Sequence, residues 1–106
     1  MSTNNNFIHV GDIGTNFHAQ ILDQDSAAVN ISGALELKLI FQKPSKTVVS
    51  KNAELYTDGT DGIMFYTTVS GDLNERGDWL VQGFCSLSNG SWHSSVSSFK
   101  VYANLE

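Results

Sequence analysis

The stretch that decides the fold runs Leu35-Glu36-Leu37-Lys38-Leu39-Ile40-Phe41-Gln42. Leu35, Leu37, Leu39 and Phe41 share one parity and Glu36, Lys38 and Gln42 the other, with Ile40 the single exception. Successive side chains of a strand point to opposite faces, so this alternation is a strand with one buried face; a helix would need its apolar residues three and four apart. The pattern recurs on both sides. Phe17, Ala19 and Ile21 alternate with Asn16, His18 and Gln20 within Thr15 to Leu22, and Ile63, Phe65 and Thr67 alternate with Met64, Tyr66 and Thr68. Trp79, Val81, Gly83, Cys85 and Leu87 share a parity that Phe99 and Val101 continue after a turn. With Thr47 to Leu55 the number of expected strands reaches six or seven.

Turn chemistry separates these runs: Asp23-Gln24-Asp25-Ser26, Lys43-Pro44-Ser45-Lys46, Thr57-Asp58-Gly59-Thr60-Asp61-Gly62, Ser70-Gly71-Asp72 and Ser88-Asn89-Gly90-Ser91. Gly and Asn adopt positive φ at little cost and Pro fixes φ, which is what tight turns require. Asn89-Gly90, between strand patterns, predicts a hairpin with a type I′ turn joining the last two long strands. Short strands at intervals of about 8 to 12 residues predict an all-β fold, a β-sandwich of about seven antiparallel strands.

Composition supports the same class and narrows the partners. Ser, Thr and Asn supply 29 of the 106 residues, and they favour turns and strand surfaces over helix interiors. The length fits one domain over residues 1–106, with residues 1–6 (M-S-T-N-N-N) expected to form a flexible N-terminus. Eleven acidic against six basic residues give a net charge of −5, with no basic stretch, so neither a nucleic acid nor an anionic membrane is an expected partner. No export signal is visible at the start, and the apolar runs fall far short of the roughly 18 residues that cross a bilayer. The single cysteine, Cys85, forms no internal disulfide and suits a reducing compartment.

Taken in order, Gly11-Asp12-Ile13-Gly14, Asp23-Gln24-Asp25, Asn30-Ile31-Ser32-Gly33-Ala34, Phe41-Gln42-Lys43-Pro44-Ser45-Lys46-Thr47-Val48, Tyr56 to Gly62, Gly77-Asp78-Trp79-Leu80-Val81-Gln82-Gly83 and Phe99-Lys100-Val101-Tyr102 form a series of landmarks. This series resembles the immunoglobulin-like modules of tailed-bacteriophage virion proteins, most closely the N-terminal domain of the phage baseplate upper protein family. The resemblance covers about Gly11 to Leu105. It implies a non-enzymatic structural component of a virion, in the tail, baseplate or neck, made in the bacterial host cytoplasm. Such a component assembles as a homo-oligomer and with other virion proteins. The chain ends where the module ends, without the coiled coil or receptor-binding region of longer members. Glu75-x-Gly77-x-Trp79-x-Val81 is similar to the acidic-x-Gly-x-Tyr-x-Cys stretch at the tyrosine corner of immunoglobulin domains, with Trp for Tyr and Val for Cys.

No constellation points to catalysis, a cofactor or a metal. His9, His18 and His93 lack the ligand spacings of zinc sites. His93 adjoins serines, but no nucleophile-elbow pattern surrounds any of them. Asp23-Gln24-Asp25 and Asp58 to Gly62 are read as turns, lacking the acidic series of a calcium-binding EF-hand loop. Arg76-Gly77-Asp78 is read as a chance match to the integrin tripeptide, and Cys85 as a buried small hydrophobe. Trp79 is expected in the core. Trp92, with His93 and Asn89 beside the hairpin and Asp58 and Asp61 in the acidic turn, forms the candidate interface. The alternative function is a glycan- or receptor-binding module using these residues for host-surface attachment. Sheet edges are the other candidate surface, since an unpaired edge can bond to another subunit through its backbone.

Overall fold

In a computed structural model that describes residues 8–105, no helix forms among the described residues and the chain builds two antiparallel sheets. The strands are β1 (Asn16–Gln20), β2 (Glu36–Gln42), β3 (Val48–Asn52), β4 (Glu54–Leu55), β5 (Ile63–Thr67), β6 (Gly77–Leu87), β7 (Gly90–His93) and β8 (Ser97–Val101). One sheet has the order β1-β5-β4. The other has the order β3-β2-β6, with β7 and β8 sharing the far edge of β6. The expected flexible start, residues 1–6, lies outside the described residues.

The alternation in the sequence sets which side chains face inward. On β6, Trp79, Val81 and Cys85 are buried while Asp78 and Leu80 are exposed; on β2, Leu39 and Phe41 are buried. Met64 of β5 and Phe17 and Ala19 of β1 meet them from the opposite sheet. The Phe17 ring lies edge-on to Phe41 at 5.3 Å and tilted on Phe99 at 4.6 Å, so aromatic contacts knit the two layers. Gly83 sits where the sheets come closest. A Cβ there would lie 2.6 Å from the Cβ of Ala19, so the position takes no side chain without moving a layer.

Trp79 is 1% exposed, stacks on Phe99 at 5.7 Å and meets Phe41 edge-on at 6.4 Å. Its indole Nε1–H donates to the Glu75 carbonyl at 3.0 Å, so the one polar atom of this buried ring is satisfied.

Four expectations are corrected. The Thr47–Leu55 run is two strands: Ala53 still donates to Leu37 O at 2.9 Å, after which Glu54 and Leu55 pair with β5 in the other sheet. Strands that turn a sandwich corner switch sheets in this way, and uniform alternation does not reveal it. Leu35, assigned to the buried parity, precedes β2 and is 73% exposed. The hairpin after β6 pairs Leu87 with Gly90, so its two turn residues are Ser88 and Asn89. Neither has positive φ, which excludes the type I′ turn. It joins β6 to the four-residue β7, and β8 then returns to pair with the first half of β6.

Trp79→Ala is expected to cost about 3–5 kcal/mol, as for other buried aromatics, and Gly83→Ala about 1–3 kcal/mol through overpacking against Ala19. Chemical denaturation of both variants measures this; a near-wild-type midpoint for either would show that the two layers do not meet as described.

Candidate functional site

Among the described residues, a cleft lies beside the free edge of β1. The cleft measures about 390 Å³ and is bounded by His18, Gln20, Leu22 and Asp23 on one side and by Val81, His93, Ser94, Ser95 and Ser97 on the other. Its far wall arises because β7 and β8 do not form one continuous strand along β6. At the gap, Ser94 N–H donates to Gly83 O at 2.9 Å, Ser94 Oγ accepts from Gly83 N at 2.7 Å, and Gln82 Nε2 donates to Ser94 O at 2.9 Å. The chain thereby bends outward at Ser95 and Val96 before rejoining β6 as β8.

The polar groups of the cleft are largely committed to structure. Ser94 Oγ–H donates to Ser95 O at 2.9 Å. Asp23 Oδ1 accepts from Asp25 N and Ala27 N at 2.8 and 3.0 Å and so closes its own turn. Gln20 Nε2 reaches the Asp61 carbonyl at 2.9 Å, tying the acidic turn to the rim. Two imidazoles stand on opposite walls, each against an aromatic ring: His18 on Tyr56 at 4.6 Å and His93 on Phe84 at 4.9 Å.

Of the residues singled out in the sequence, His93 lines the cleft and Asp61 touches its rim through Gln20. Asp58 turns back on its own loop, accepting from Thr60 N at 3.0 Å and Thr60 Oγ1 at 2.7 Å; the Thr60 hydroxyl chiefly holds its carboxyl below the usual range. Asn89 is a hairpin turn residue. Trp92 is half-buried and packs against the core beside Cys85, which falls short of an open stacking platform. The five residues therefore do not form one constellation. Cys85 is fully buried, and desolvation pushes its thiol up.

A second polar group, which no local sequence pattern signals, centres on Asp72. The Tyr66 hydroxyl and Val69 N donate to Asp72 Oδ2, the latter at 2.8 Å, while Lys51 Nζ sits 3.0 Å from Asp72 Oδ1. Lys51 belongs to β3 and Tyr66 to β5, so one carboxylate clamps both sheets. Burial pushes the Asp72 carboxyl up, but the hydrogen bonds from Tyr66, Val69 and Lys51 outweigh it and leave it below its ordinary 3.8. Burial first, then the bond to Asp72 and its charge, push Tyr66 up to about 12. The three residues come from separate elements, and no local spacing brings them together.

Comparison of the chain with family models, with curated proteins and with solved structures finds no match.

The clamp has a pH signature. A carboxyl lowered on folding contributes stability above its unfolded value, near 3.9, and loses it as pH falls through the lower folded value. A phenol raised from 10 to about 12 contributes below pH 10 and loses it as pH rises toward 12. Asp72→Asn is expected to cost about 1.5–3 kcal/mol at neutral pH and to flatten the acid limb of the stability profile. An unchanged acid limb would remove the clamp from the account. Cys85 is expected to react with a thiol reagent only as fast as the protein opens, and prompt labelling in the native state would contradict its burial.

Proposed function

We propose that the chain is an immunoglobulin-like structural module of a tailed-phage or prophage virion, placed in the tail, baseplate or neck and working by assembly and not by turnover. The observation that carries the reading is the strand order. The order β1-β5-β4 in one sheet and β3-β2-β6 in the other supports assigning them to strands B, E, D and C′, C, F of an immunoglobulin domain, with β7 and β8 as two pieces of a last strand, G. The parallel bridge from His9 to Tyr102 occupies the place of a first strand on the last. The Trp79 bond to the Glu75 carbonyl, four residues upstream, does what the tyrosine-corner hydroxyl does in that fold. These features support the resemblance drawn from the sequence. Repeated positions in a virion are filled by identical copies, so closed symmetric self-association is the expected behaviour.

A second reading, a glycan-binding module for host-surface attachment, draws on the polar cleft with its two imidazole walls. A bacterial surface polysaccharide that perturbs the amide resonances of His18, His93 and Ser94 would favour it.

Absolute mass by light scattering coupled to gel filtration, over a concentration series, tests the assembly reading. A discrete mass multiple appearing as concentration rises is expected. A monomer throughout, together with saturable polysaccharide binding, would replace the first reading with the second.

A further inference from the structure

The outer strands of this molecule are not equally guarded. Exposed edges that avoid pairing carry charges, prolines, bulges or very short strands. β3 carries Lys51, β4 is two residues long with Glu54, β7 has four residues, and β8 carries Lys100 with its far end bridged by His9. β1, Asn16-Phe17-His18-Ala19-Gln20, has five residues with no charge, proline or glycine.

Its backbone is also oriented for pairing. At the two ends of the β1–β5 ladder, Thr68 N donates to Thr15 O at 2.9 Å and Ile21 N to Gly62 O at 2.8 Å. Alternation then turns Phe17 and Ala19 toward β5 and leaves the N–H and C=O groups of Asn16, His18 and Gln20 on the open side. Among the described residues nothing pairs with them, and the cleft keeps the bend at residues 94–96 away from this edge.

Resting on the assembly reading above, we infer that β1 is a self-pairing edge, which joins antiparallel to β1 of a second copy about a two-fold axis at His18. The strand is its own complement in this register. His18 faces His18 of the second copy and exchanges both backbone bonds with it, while Asn16 faces Gln20, an amide beside an amide on the outer surface. The same register carries Leu22, 41% exposed, to the segment holding Ile13, 66% exposed, on the second copy, and the two-fold makes this contact twice. Leu22 falls opposite Gly14, one residue from Ile13, so the two apolar side chains come close at each end of the contact. Within Asn16–Gln20 the strand itself carries no acidic or basic side chain, so no like charges oppose each other along the paired segment. The result is a continuous six-stranded sheet built from two three-stranded ones.

An edge of five residues is about 17 Å long, so the contact falls below the roughly 1,200 Å² of a stable interface. A monomer at about 10 µM passing to a dimer near 1 mM is expected. His18→Lys sets like charges opposite each other and abolishes the dimer. His18→Pro removes the outward N–H and does the same; both variants also lose the ring contact with Tyr56 but remain folded, because no backbone bond to β5 is broken. His18→Cys forms a disulfide-linked dimer on oxidation, because paired Cα atoms lie about 5.5 Å apart. Asn16→Cys does not, its counterpart lying more than about 13 Å away.

A dimer that survives both His18→Lys and His18→Pro, or that cross-links through Asn16→Cys, overturns the β1 edge and leaves self-association standing through another face. A wild-type chain that stays monomeric to 1 mM overturns both this inference and unaided self-association.

Discussion

The hydrogen bond from the Trp79 indole to the Glu75 carbonyl is the constraint on which the rest of the structure depends. A buried indole N–H without an acceptor costs more than a modest core can spare. The chain before β6 must therefore fold back four residues to supply that acceptor. Doing so fixes where β6 begins and which parity of its residues faces inward. Every strand of the larger sheet except β3 then takes its register from β6: β2 along one side, β8 and β7 in succession along the other.

From that strand the second sheet follows by contact. Trp79, Phe99, Phe41 and Phe17 form one aromatic cluster across the layers, and Gly83 lets Ala19 of β1 approach as no larger residue would. β1 is thus held by its inner face and by β5, while no described residue pairs with its other edge. The opening beside it has the same origin. An eleven-residue β6 is longer than either β7 or β8 can cover, so two short strands share its edge and the chain between them bulges around Ser94. The site is a consequence of strand lengths more than of particular side chains.

Most of the fold could be read from the residues because its signals are local. Alternation located β1, β2, β5 and β6 to within about two residues and placed Trp79, Cys85, Phe99 and Val101 inside. It failed where the structure departs from locality. The sheet switch at Ala53 leaves parity undisturbed, and Asn89-Gly90 offered a type I′ turn that the pairing of Leu87 with Gly90 overrode. The candidate site was much less legible. Trp92, a candidate interface residue among serines, is half-buried, because its pairing with Cys85 turns it toward the core. Nothing in the sequence joins Lys51, Tyr66 and Asp72, which converge only through the sheet order. The open edge of β1 is likewise a property of topology, since the chain itself does not state which strands lack a neighbour.

Among the described residues β1 is held on one side and bare on the other, and amide hydrogen exchange in dilute solution tests this most directly. The amides of Phe17 and Ala19, bonded to β5, should be protected to nearly the global stability, whereas those of Asn16, His18 and Gln20 should exchange far faster. Uniform protection along all five residues would mean that the edge is already paired, and the account of how this module meets its neighbours would fall with it.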